Sequence, residues 1–150
     1  MNIGKTLIGA ALVLSSSSLF AAQGLVQVAS PYSVEDTANR LEKVLGAKGM
    51  KIFQRVRHSD AAAAVGIPLK PIQLIIFGNP KVGSPLMQCA PTAAIDLPQK
   101  ALIWQDAAGK VWIGYNDPNW LKQRHDIRGC DAVLKKVSGA LAKLTAAAVK

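Results

Sequence analysis

Residues Pro71–Phe77 (PIQLIIF) are the most apolar strand-like run in the chain, and Gly78-Asn79-Pro80 breaks it sharply. A run of this kind reads as a central strand buried on both faces. The rest of the fold must then supply strands beside it and helices over it. Leu25–Ala29 (LVQVA) reads as a first strand, interrupted by Pro31. Ser33 is a good N-cap, with Glu35 and Asp36 in the first turn behind it. Val34, Ala38, Leu41 and Val44–Leu45 then recur at helical spacing until Gly46 and Gly49, which predicts an amphipathic helix over 34–47. Met50–Val56 alternates and reads as the second strand. Ser59 or Asp60 caps a short helix over Ala61–Val65, ended by Gly66 and Pro68.

Beyond the break, Ser84-Pro85 has the form of an N-cap followed by an N1 proline, so one or two helical turns are expected over Pro85–Ala90, with Pro91 ending them. Ala93–Pro98 reads as a connection. Ala101–Gln105 and Lys110–Tyr115 flank Asp106-Ala107-Ala108-Gly109 and carry Trp104, Trp112 and Tyr115, the pattern of a β-hairpin. Asp117-Pro118 starts a short helix reaching about Arg124. Asp131–Lys150, with Leu134, Val137, Leu141 and Leu144 at 3-4-3 spacing, is a terminal amphipathic helix. No repeat or linker divides residues 25–150. The order β-α-β-α-β-α-β-β-α-α predicts a single compact α+β domain: one mixed or antiparallel sheet of about five strands backed by helices.

The first residues read as an address. Lys5 precedes the nine-residue apolar run Thr6–Leu14, then a serine tract, then the small residues Ala21, Ala22 and Gly24. That order is a secretory signal peptide over residues 1–24, cleaved after Ala21, Ala22 or Gly24. The run is too short to cross a bilayer, which needs about 20 residues. The expected location is the bacterial periplasm or the medium, with no membrane span once the leader is gone. The full chain of 150 residues carries +9; without Lys5, 17 basic and 9 acidic residues leave +8. Such a charge attracts acidic surfaces. The cations are scattered and not interleaved with aromatics, so no nucleic-acid partner is expected.

Two cysteines exclude a disulfide-dense scaffold and any four-cysteine metal site. Cys89 and Cys130 lie 41 positions apart. In an oxidising compartment they could pair, contributing roughly 3–4 kcal/mol in the chain-entropy account; the alternative is two buried thiols. His58, His125, Cys89, Cys130 and Asp126 are ligand types, yet no pair has the short regular spacing of a zinc site, so no metal is expected. No cofactor fingerprint is present.

Ile75-Ile76-Phe77-Gly78-Asn79-Pro80, Gly83-Ser84-Pro85-Leu86-Met87, Ile95-Asp96-Leu97-Pro98 and Tyr115-Asn116-Asp117-Pro118, with His58 ahead of an alanine-rich turn, resemble the domain of unknown function 302 family over about residues 25–145. The resemblance implies a compact α+β domain, often dimeric, and implies no activity.

Two constellations could carry chemistry. The Gly78–Ser84 stretch follows a strand and precedes a helix start, so its backbone N–H groups, with Lys81, could hold a small anion. Its G-x-x-x-x-G spacing echoes a phosphate loop, but Ser84 and Pro85 stand where the lysine and hydroxyl belong, which removes nucleotide hydrolysis. His58, Asp96 and Tyr115 could supply acid–base catalysis if they converge. Each also has a plain structural role: a hydrogen-bonder at a helix start, a turn brace and a packed hairpin tyrosine. The candidate binding residues are therefore His58, Asn79, Lys81, Ser84, Asp96 and Tyr115. The favoured reading is an exported module binding a small polar or anionic ligand, or a partner, near Asn79–Leu86. An enzyme using His58 with Asp96 or Tyr115, and a homodimeric envelope protein in contact through its hairpin or terminal helix, are the alternatives.

Overall fold

The computed structural model describes residues 22–150. Its elements are β1 (Leu25–Ser30), α1 (Val34–Ala47), β2 (Lys51–Arg57), α2 (His58–Ala64), β3 (Ile72–Gly78), α3 (Pro80–Cys89), a 3-10 turn (Pro91–Ile95), β4 (Gln99–Gln105), β5 (Val111–Asn116), α4 (Pro118–Arg124) and α5 (Asp131–Ala148). The strands form one antiparallel sheet in the order β1-β5-β4-β3-β2. This is the α+β domain expected. The leader falls outside the described residues except for Ala22–Gly24. No helix among those residues is long and apolar enough to cross a membrane.

The Ser33 hydroxyl caps α1 by accepting from the Asp36 N–H at 3.0 Å. Leu41 and Leu45 of α1, and Leu134, Val137, Leu141 and Leu144 of α5, are buried against Ile75, Phe77, Ile103 and Ile113. Each such side chain contributes about 1.5–3 kcal/mol by leaving water. Helices back one face of the sheet, and this corrects the reading of Pro71–Phe77. Gln73, Ile75 and Phe77 are buried, whereas Ile72, Leu74 and Ile76 are only half-buried. β3 is interior to the sheet but has its helix layer on one side.

Ser84 is not an N-cap. The helix begins five residues before the expected start, at Pro80, because the Asn79 side chain accepts from the Lys81 N–H at 3.0 Å and Pro80 sits in the first turn, leaving Pro85 inside the helix. Similarly, α2 starts at His58 rather than Ala61, and Pro91–Ile95 is 3-10 rather than a plain connection.

One ionic cluster ties α1 to the open edge of the sheet. Arg57 donates two hydrogen bonds to Glu35, at 2.7 and 3.0 Å, and the Gln73 amide donates a third at 2.8 Å. Arg55 Nη2 adds an ionic contact at 3.0 Å. The Arg57 hydrogen bonds, then that of Gln73, hold the Glu35 carboxyl down at about 2, against its ordinary 4.5. A depressed carboxyl contributes stability above its unfolded pKa and loses it as pH falls through the folded one. Glu35 is half-exposed, so screening limits the contribution to about 1 kcal/mol or less. Glu35→Gln should therefore melt slightly below the wild type near neutrality, with the gap closing between pH 4.5 and about 2. Melting curves across that range check this, and a constant gap would refute the assignment.

Candidate functional site

A concavity lies between α3 and α5 at the end of β3, with a volume of about 350 Å³. Its walls come from segments distant in sequence. β3 contributes Phe77 and Gly78; α3 contributes Val82, Gly83, Leu86 and Met87; the turn before β4 contributes Leu97 and Pro98; α5 contributes Val137, Leu141 and Leu144. The side chain of Phe53 completes the rim. It sits at a register shift in β2, between Ile52 and Gln54, and a bulged residue is re-aimed out of the ladder. Phe53 remains 44% exposed. Gly78 lies between these walls: a Cβ there would be in ordinary contact with Pro98 Cβ at 3.4 Å and the Phe53 ring at 3.6 Å. The lining is mostly carbon; Asn79, Ser84 and Gln99 are its polar residues.

The structure distributes the six sequence-derived candidates. Asn79 and Ser84 line the cavity; His58, Lys81, Asp96 and Tyr115 do not. The N–H donors that the Gly78–Ser84 stretch would need for an anion are already engaged. Lys81 N–H goes to the Asn79 side chain, and those of Val82 and Gly83 go to the Asn79 carbonyl at 2.8 and 3.0 Å. Lys81 itself is exposed.

His58, Asp96 and Tyr115 do not converge. His58 is exposed at the end of β2, and Tyr115 is buried on β5, three strand spacings or about 14 Å across the sheet. Burial, then the neighbouring Asp117, pushes the Tyr115 phenol up. Asp96 instead meets His125: its carboxylate lies 2.6 Å from His125 Nε2 and 3.4 Å from Arg124 Nε, while His125 Nδ1 is 3.1 Å from the Thr92 hydroxyl. A histidine between a carboxylate and a hydroxyl has the elements of an acid–base relay. Here the cavity walls include none of the three, and the group fastens the 3-10 turn to the end of α4. The sequence offered no sign of this pairing, because residues 96 and 125 are joined only through folding. The α5 wall was equally hidden, since Val137, Leu141 and Leu144 read simply as a helix's apolar stripe. Cys89 and Cys130 stand at disulfide distance, with Cα atoms 6.4 Å apart. Among the described residues, no group of three or more His, Cys, Asp or Glu could hold a metal ion.

The fold has a solved counterpart. The crystal structure of uncharacterized conserved protein DUF302 from Bacillus stearothermophilus superposes with a TM-score of 0.68 at 21% identity, over 85% of this chain and 97% of that one. In sequence, 104 residues are 48% identical to fluoride-specific ion channel FluC 1 of Brucella suis biovar 1 (strain 1330), and the same identity holds for FluC 1 of Brucella abortus biovar 1 (strain 9-941). The match covers 69% of this chain but only 41% and 38% of those proteins, so the chain spans about two fifths of the length of these curated relatives. Residues 26–144 match the family described as Domain of unknown function DUF302, and with that match spanning nearly the whole described region, the chain belongs to this family.

Proposed function

We propose that this protein is an exported binding domain whose cavity between α3 and α5 takes a small apolar or amphipathic molecule. The observation that carries the reading is the cavity itself: about 350 Å³, walled by Phe53, Phe77, Met87, Leu97 and Leu141. Its size and its few polar groups suit a small ligand. A polar end of the ligand would face Asn79, Ser84 or Gln99. The polar or anionic ligand expected from the sequence is the weaker choice, because the backbone donors near Asn79 are used within α3. Export is supported by the leader-like order of Lys5, Thr6–Leu14 and Ala21–Gly24.

Octanol and octanoate, tested side by side by thermal shift, should both raise the melting temperature, whereas inorganic phosphate should not. At 100 times its Kd a ligand adds about 2.7 kcal/mol. Gly83→Trp should abolish the shift without unfolding the protein: a Cβ at Gly83 already lies 3.8 Å from Leu97 Cδ1, so an indole there fills the space. Stabilisation by phosphate alone, or full stabilisation retained in Gly83→Trp, would overturn the reading.

The Brucella relatives favour a second reading. Those chains are named fluoride-specific ion channels, and a module similar to this protein forms part of each. This chain would then be a companion to such a channel. Affinity capture from host membranes should recover a channel with the tagged protein; recovery of none would sink the idea.

A further inference from the structure

A second concavity, of about 310 Å³, adjoins the cavity between α3 and α5. Met50, Ala140 and Leu144 line both, so the two form one groove along α5. The outer part lies between the end of α1, at Val44 and Lys48, and the α5 residues Lys143 and Ala147. Its floor is apolar like that of the inner part, but its border is not. No charged residue lines the inner part, whereas Lys48 and Lys143 both border the outer one.

Several features suit this outer part to an anion. No acidic residue lines either part of the groove. Among the described residues, neither Lys48 nor Lys143 takes part in an ion pair, although Lys122, Arg55 and Arg57 do. Their stems can lie along the apolar wall while the ammonium groups stay in water. Two like charges bordering one apolar depression repel each other, and an anion between them relieves that repulsion. The carbonyls that close α1 would oppose an anion, but they are already taken. The Lys48 N–H donates to the Val44 and Leu45 carbonyls, both at 3.1 Å, and the Gly49 and Met50 N–H groups donate to those of Gly46 and Leu45, both at 3.0 Å. Lys51 is turned elsewhere, its ammonium 5.0 Å from the centre of the Phe53 ring. The net charge of +9 also draws anions toward the chain.

We propose that the groove takes a single-chain, long-chain carboxylate. Its alkyl tail lies between α3 and α5 and passes Met50 and Leu144, and its carboxylate sits between the ammonium groups of Lys48 and Lys143. This rests on the reading of the inner cavity as an apolar ligand site, and adds the class of ligand and the direction in which it lies. A molecule confined to the inner cavity would turn its polar end to Asn79, Ser84 or Gln99, and the Asn79 side-chain oxygen already accepts from the Lys81 N–H. A chain long enough to reach the lysines gains two ionic partners and further buried methylenes, each worth about fourfold in affinity when fully covered.

Isothermal titration of the purified protein at about pH 8, where the carboxylate and both ammonium groups are charged, decides this. Dodecanoate should bind about fivefold more tightly than dodecanol, the gain expected from two exposed ionic contacts. Replacing both lysines, as Lys48→Gln with Lys143→Gln, should bring dodecanoate down to the level of dodecanol and leave dodecanol binding as it was. Both side chains are exposed, so the fold should be kept. Lys136→Gln, exposed on α5 and outside the groove, should change neither affinity. About 0.5 M NaCl should shrink the advantage of dodecanoate by screening. If dodecanol binds as tightly as dodecanoate, or if the advantage survives loss of both lysines, the placement of the carboxylate is overturned while the apolar cavity stands. Binding to phosphatidylglycerol vesicles with none to monomeric dodecanoate also overturns it. Binding of neither dodecanol nor dodecanoate overturns the cavity reading itself, and this proposal with it.

Discussion

Phe77→Ala should remove about 3–5 kcal/mol of stability, the usual result of truncating a buried phenylalanine. Phe77 is 1% exposed, lies on β3 between Ile52 of β2 and Gln99 of β4, and forms a wall of the cavity between α3 and α5. The loss has two parts: the ring's transfer from water, and a void that the surrounding β strands cannot collapse to fill. A domain of this size holds about 5–15 kcal/mol in total, so the variant should be close to unfolding at body temperature. Phe53→Ala is the matched comparison, with the same side chain in the same cavity but 44% exposed and at a bulge; it should cost about 1 kcal/mol or less. Urea denaturation of both, read as midpoint shifts at constant slope, measures the difference. Equal losses would mean that the cavity rim is as tightly packed as the core beneath it. Because Phe77→Ala enlarges the cavity, it should also shift binding toward bulkier apolar ligands.

Replacing Cys89 and Cys130 together by alanine should cost roughly 3–4 kcal/mol, about 10 °C in melting temperature for a domain of this length. The magnitude follows from the 41-residue separation: a link across a loop of that size restricts the unfolded chain strongly. The link would also join the end of α3 to the start of α5, the two helices that flank the cavity, so ligand stabilisation should weaken along with stability. The wild type treated with reductant should behave like the double variant. If reductant leaves melting unchanged, or if two thiols label with an alkylating agent before reduction, the cysteines are unpaired and the stabilisation must come from elsewhere.

Local patterns carried most of the architecture. Helix α1 was legible because its apolar residues repeat at helical spacing behind a capping serine, and the β4–β5 hairpin because its tryptophans and tyrosine flank a four-residue turn. Each of these signals acts within one or two turns of chain, where backbone sterics and hydrogen bonding have few alternatives. The start of α3 was misplaced because two capping dipeptides compete: Ser84-Pro85 has the better-known form, but Asn79-Pro80 acts first, and the helix propagates through the later proline. The sequence predicts two buried faces for β3 because an unbroken apolar run looks the same whether its second side is fully covered or, as at Ile72, Leu74 and Ile76, only half-buried.

The site was hidden for a different reason. Asn79 and Ser84 reach the cavity, but Phe53, Leu97 and Leu141 carry no mark of belonging there, and Asp96 finds His125 rather than His58. What the sequence determined on its own was the set of elements, their approximate bounds and the α+β class, since these follow from interactions between near neighbours. Only the tertiary structure decided which residues share a cavity, which histidine meets the carboxylate and which face of each strand is fully buried, because those depend on contacts between distant segments that no local spacing encodes.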